Sequence, residues 1–110
     1  MTYQTLVEKL TATKIPFREG AWVNAGGMRK DYGVYAIDGR NDLAADGTHA
    51  EKMLEGTVDL FAWNNNGLAK AGLIEAAMEE AGVAWRVNLA ANYEENTGYT
   101  HWEWIFNCLG

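Results

Sequence analysis

A chain of 110 residues with 48% hydrophobic and 22% charged side chains has the composition of one folded domain, residues 1–110, and argues against a disordered chain. A net charge of −6 argues against a nucleic-acid clamp, which needs cationic surface to displace counterions, and no run approaches the roughly 18 apolar residues of a membrane span. The opening MTYQTLVEKLTATK lacks a basic stretch followed by an apolar one, and a lone Cys108 has no partner for an internal disulfide, so synthesis in a reducing cytoplasm is expected.

Thr2 is a candidate N-cap for a first helix whose apolar stripe is Tyr3, Leu6, Val7 and Leu10, closed by Pro16. Ile15 and Phe17 then alternate with polar neighbours as in a short strand, and Asn24-Ala25-Gly26-Gly27 reads as a loop. Tyr32-Gly33-Val34-Tyr35-Ala36-Ile37 predicts a strand, ended by the turn pair Asp38-Gly39. Residues 40–50 are less regular, with another turn signal at Asp46-Gly47. Residues 57–63 predict a strand with Val58, Leu60 and Ala62 on one side and Thr57, Asp59, Phe61 and Trp63 on the other.

Asn64-Asn65-Asn66-Gly67 breaks that strand and offers an asparagine cap for the clearest element, a helix. Ala71, Ile74, Ala77, Met78 and Ala81 form its apolar stripe, Glu75, Glu79 and Glu80 its wet face, and Gly82 its left-handed end. Residues 83–89 predict a strand, Asn96-Thr97-Gly98 a hairpin turn, and residues 99–108 a returning strand. In that last strand Trp102, Trp104, Phe106 and Cys108 face one way, and Tyr99, His101, Glu103 and Ile105 the other. The order α-β-β-β-α-β-β predicts an α+β fold with two helices on a mostly antiparallel sheet.

Chemical signatures are sparse. His101-Trp102-Glu103 has the His-x-Glu form of zinc deaminases but lacks the Pro-Cys-x-x-Cys that must follow, and two groups do not make a catalytic zinc site. A cross-strand pair on a polar face is the expectation there. Asp38, Asp42 and Asp46 recur every four residues, which is the wrong spacing for a calcium loop. Cys108 with His49 or His101 would be a thiol–imidazole pair, yet Cys108 falls at an inward position, where cysteine acts as a small hydrophobe. No glycine loop matches a phosphate or dinucleotide fingerprint. No catalytic residue, cofactor or metal is therefore expected.

Two features remain. Residues 1–30 carry five cations against two acids, whereas residues 31–110 carry four against thirteen, an imbalance that favours head-to-tail contacts between copies. Five tryptophans are many for this length, and Trp22 and Trp63 fall at element ends, either as edges of the core or as anchors for a partner.

Tyr32-Gly33-Val34-Tyr35, the run Asn41-Asp42-Leu43-Ala44-Ala45-Asp46-Gly47, and Gly56-Thr57-Val58-Asp59-Leu60-Phe61 resemble the middle of bacteriophage tail-completion (tail terminator) proteins of long-tailed phages and prophages. The end is similar too, from the Glu-rich helix closing at Ala81-Gly82 to Tyr93-Glu94-Glu95-Asn96-Thr97-Gly98-Tyr99 and His101-Trp102-Glu103-Trp104. The resemblance implies a structural virion protein at the tail–head junction, a homo-oligomer expected as a hexameric ring. Such a ring caps the tail tube protein, ends its polymerisation and joins the head connector proteins, with no cofactor or catalytic residue. DNA would pass without specific binding and no membrane is involved. Asp38, Asp42, Asp46, Glu94 and Glu95 are then candidates to line the channel or the stacking faces, with Trp22 and Trp63 as further contacts. The alternatives are another head–tail neck or minor capsid factor, and a small ligand-binding domain.

Overall fold

A computed structural model of the chain describes residues 2–22, 29–43 and 51–110, with backbone alone at 40–43, 51 and 52. The elements run α1 (Tyr3–Ala12), β1 (Phe17–Glu19), β2 (Tyr32–Leu43), β3 (Glu51–Trp63), α2 (Leu68–Ala81), β4 (Ala84–Glu94) and β5 (Tyr99–Leu109). This is the expected α-β-β-β-α-β-β order and an α+β fold. The five strands form one sheet in the order β1-β2-β3-β5-β4. Every neighbouring pair is antiparallel except β1 with β2, so the sheet is mixed at one edge.

α1 begins as its sequence requires, with the Thr2 hydroxyl accepting the Thr5 N–H at 3.2 Å. It ends before Pro16 is reached: Thr13 caps it and Lys14 turns left-handed at φ 70°. Leu6 and Leu10 are buried, and Ile15 joins the core from outside β1, which is shorter than the alternation suggested.

The hairpin of β2 and β3 is much longer than the local signals indicate. Asp38-Gly39 does not end β2: the register shifts there, between Ile37 paired with Gly56 and Gly39 paired with Glu55, and pairing resumes to Leu43 opposite Glu51. A turn-forming dipeptide inside a strand has become a bulge, which inserts one residue and increases twist. β3 accordingly starts at Glu51, six residues before the expected strand, and the molecule measures 50 × 25 × 22 Å. The Asn24–Gly27 loop, Asp46 and His49 lie outside the described residues.

α2 buries the whole expected stripe of Ala71, Ile74, Ala77, Met78 and Ala81, and ends at Gly82 with φ 73°. Its N-cap corrects the expectation of an asparagine, because the cap is Gly67 at φ 74°. The asparagines act one step earlier: Asn65 Oδ1 accepts the Gly67 N–H and Asn66 Oδ1 accepts the Leu68 N–H, bending the chain into the helix as Asx turns. Glu79 and Glu80 are exposed, as expected of the wet face, and Glu75 is half-buried. Glu75 accepts the Trp104 indole N–H at 2.9 Å and Glu79 that of Trp85 at 2.8 Å, so two carboxylates one turn apart fasten the helix to the sheet.

Both helices cover one sheet face, where Val58, Leu60, Trp102, Trp104, Phe106 and Cys108 meet Leu6, Leu10, Ile74 and Met78. The Tyr3 ring stacks over Phe106 with centroids 6.2 Å apart, closing the core at the start of α1. β4 is longer than expected and lies at the open edge, with register breaks between Val87 and Leu89 and between Leu89 and Asn92. Ala91 sits at φ 46° inside the second break, and Val87 and Tyr93 are exposed along it.

Asp31 ties the far end of this architecture together. Its carboxylate accepts the Trp63 N–H at 2.6 Å, both oxygens accept from the Asn65 amide, and Lys70 Nζ reaches Oδ2 at 2.7 Å. Burial alone would raise its pKa, but the bonds from Lys70, Trp63 and Asn65 hold it below the usual 3.8. The ionised carboxylate therefore contributes stability above that value, and the contribution fades as pH falls through the lower folded-state pKa. Asp31→Asn is expected to cost about 1.5–3 kcal/mol at neutral pH, the usual range for hydrogen bonds to a charged group. The variant should also lose part of the acid-induced drop seen in the parent. Urea unfolding at neutral pH and in steps below 3.8 measures both.

Candidate functional site

The sheet face away from the helices carries the remaining chemistry. Successive strands bring Tyr32, Phe61 and His101 into one row by register, and Asp59 opposite Glu103 in the next. Phe61 stacks between the other two rings, 4.8 Å from Tyr32 and 4.3 Å from His101, each within 14° of parallel. Tyr99 meets Tyr32 and Phe61 edge-on, and Trp63 packs on Tyr99 at 5.1 Å. Phe61 faces neighbours on both adjacent strands, so alternation along β3 makes it the centre of an aromatic band.

Within that band His101 is held from two sides. Its Nε2 lies 2.7 Å from Asp59 Oδ1 and its Nδ1 3.3 Å from Glu94 Oε2. Burial lowers the imidazole pKa, but the Asp59 hydrogen bond and the charges of Asp59, Glu94 and Glu103 outweigh it and raise the pKa above 6.5. Glu103 is positioned by the Asn88 amide, which donates to Oε1 at 2.6 Å. One ligand atom from each of Asp59, His101 and Glu103 can be chosen so that all lie within 4.8 Å of one another. Such a set can hold a proton between imidazole and carboxylate, or bind a cation.

Beside it, Gly20, Ala21, Trp22, Tyr32, Val34, Asp59 and Phe61 line a cleft of about 320 Å³. Trp22 forms one wall: its indole N–H donates to the Gly33 carbonyl at 2.9 Å, its ring meets Tyr32 edge-on, and the Arg18 guanidinium lies 4.8 Å from its centroid. Trp22 and Trp63 are thus built into the aromatic band as half-buried rings.

The carboxylates singled out by sequence do not form one cluster. Glu94 ends β4 and Glu95 begins the β4–β5 turn, where Glu95 is exposed. Asp38 is exposed at the β2 bulge, and the Asp42 backbone pairs with Lys52 near the opposite end of the sheet. Eleven strand positions separate the Lys52 level from the Trp63 level, roughly 35 Å at the usual rise per residue. The Asp42 side chain lies outside the described residues, as does Asp46.

Cys108 and His101 point to opposite faces of β5, which rules out a thiol–imidazole pair between them. The Cys108 thiol is buried and burial raises its pKa, the setting of an inert core cysteine. His101 and Glu103 do share a face, as expected, but that face is largely aromatic rather than polar, and the residue that completes their environment is Asp59. Its sequence signal is a carboxylate beside Phe61 and Trp63 on the outward side of β3, which becomes informative once β3 is registered against β5.

No protein-family model and no curated protein matches the chain.

Proposed function

We propose that this protein is a structural assembly factor of the tail-completion class, acting as a ring of copies that caps a phage tail tube and receives the head connector. The observation that carries the reading is the coincidence of the resembling residues with the fold's principal features. Residues 32–35 pair one by one with residues 58–61 across β2 and β3, residues 93–104 take in the β4–β5 turn and the first half of β5, and the element order is the one that the resemblance implies. The two sheet edges are also unlike, a β2 border covered by β1 only at residues 33–35 against the eleven residues of β4, which suits a contact between different patches on neighbouring copies. Exposed acidic side chains, Asp38 at the β2 bulge and Glu95 in the β4–β5 turn, suit a channel or stacking faces that DNA passes without being gripped.

Electron microscopy of particles made without the protein tests the role. Intact heads with overlong, unattached tails support it; normal joined virions reject it. A finer prediction concerns charge. Asp38→Lys combined with Glu95→Lys changes two exposed positions, so the fold should be retained while the yield of joined particles or the release of DNA falls. Unchanged infectivity would remove these residues from the contact surface.

The cleft beside Trp22 favours a second reading, a small ligand-binding domain, because its volume lies at the lower end of the range for ligand pockets. Location in the virion separates the two: a tail-completion factor copurifies with tails, whereas a ligand-binding domain does not.

A further inference from the structure

We propose that Asp59, His101 and Glu103 form a binding site for one divalent transition-metal ion of the zinc class, supported by Glu94 and Asn88. This site is independent of the assembly role and needs only a single copy of the chain.

The first argument is the donor set and its spacing. Imidazole with carboxylates suits zinc and its neighbours, whereas magnesium and calcium prefer oxygen alone. Two ligand atoms about 2.1 Å from a tetrahedral ion lie roughly 3.4 Å apart. The Nε2 and Oδ1 atoms of His101 and Asp59 stand at 2.7 Å, so admitting an ion requires them to part by well under an ångström. The widest separation in the set, bounded by 4.8 Å, must close by about 1.4 Å, within reach of rotation along the Glu103 side chain. Three protein ligands leave a fourth position for water.

The second argument is the surroundings, which have the form that metal-binding histidines use. A ligating imidazole commonly gives its other ring N–H to a carboxylate, which fixes the tautomer and the ring direction. Glu94 Oε2 stands 3.3 Å from Nδ1, on the side away from Asp59. Phe61, stacked 4.3 Å from the imidazole and nearly parallel to it, fixes the ring plane. The Asn88 amide holds Glu103 through Oε1 and leaves Oε2 to turn inward. Ligand and supporting residues come from three adjacent strands and are ordered by the ladder itself.

The third argument is charge. Three carboxylates surround one imidazole, and among the described residues no lysine or arginine forms an ion pair with Asp59, Glu94 or Glu103. A divalent ion would offset two of these three negative charges.

Calorimetric titration of the metal-stripped full chain with zinc chloride, at neutral pH, tests the site. The expected result is one zinc per chain at micromolar or tighter affinity. Glu103→Gln should weaken binding at least tenfold, and Glu94→Gln, which alters only the support, about 10–100-fold. Cys108→Ser should leave it unchanged. Cobalt(II) gives a second readout, since its visible bands report four-coordination and should diminish in Glu103→Gln. Circular dichroism establishes that each variant is folded; should His101→Gln fail to fold, Glu103→Gln decides, because its side chain lies half-buried on the open face. Absence of stoichiometric zinc uptake would overturn the proposal. So would binding that survives in Glu103→Gln but is lost in Cys108→Ser, or a preference for magnesium or calcium over zinc.

Discussion

Replacing Trp104 with alanine is expected to remove about 3–5 kcal/mol of stability, the range for deleting a buried aromatic side chain. Trp104 is wholly buried in the middle of β5, stacked beside Trp102 with centroids 5.8 Å apart and facing α2. Alanine leaves a cavity where the indole stood and also strands the Glu75 carboxylate, which accepts the indole N–H at 2.9 Å. Domains of this size have about 5–15 kcal/mol in total, so the loss would be a large fraction. Trp104→Phe separates the two causes by keeping most of the volume while deleting the donor, and should fall between parent and alanine variant. Equilibrium urea unfolding provides the comparison. A loss below about 1 kcal/mol for alanine would mean that the core closes around the gap, contrary to the packing seen.

Gly56→Ala should be nearly as severe, at about 3 kcal/mol, the upper part of the range for overpacking. A methyl group there would stand 2.2 Å from the Ala36 carbonyl oxygen and 2.6 Å from Phe106 Cζ. The first obstacle is backbone of the neighbouring strand and cannot rotate away. Relief would require β2 and β3 to part beside their bulge, so hydrogen exchange should quicken for β2 and β3 amides ahead of those in α2. Gly39→Ala is the control, since nothing lies within 4 Å of its added carbon, and its effect should stay within about 0.5 kcal/mol. Equal effects at the two glycines would show that collision at Gly56 does not set the cost, since the reduced freedom of the unfolded chain favours folding at both.

The parts of the fold legible from sequence are those where one element decides its own periodicity. The α2 stripe and the alternate burial of Trp102, Trp104, Phe106 and Cys108 follow from repeats of 3.6 and 2 that need no knowledge of neighbours. The errors fall where distant pairing overrides a local signal. Asp38-Gly39 is a turn dipeptide, yet cross-strand bonds to Gly56 and Glu55 carry β2 past it. Glu75 looks solvated on a helical wheel until Trp104 arrives from the sheet to use it. The candidate site shows the same limit. His101 and Glu103 were visible as two same-face residues, but Asp59 lies more than forty positions earlier in the chain and joins them only through the β3–β5 register.

The twice-broken β4 edge has a consequence for how copies behave when crowded. Strands that seed fibrils must offer a straight, unbroken series of amide donors and acceptors for another backbone to copy. Here the series is interrupted on both sides of Leu89, with Ala91 twisted left-handed, and on the opposite border the β2 strand left uncovered beyond Tyr35 is itself bent by the bulge at Asp38. A second backbone laid along β4 therefore meets no continuous template, and close approach of copies at that border falls to side chains rather than to a shared ladder.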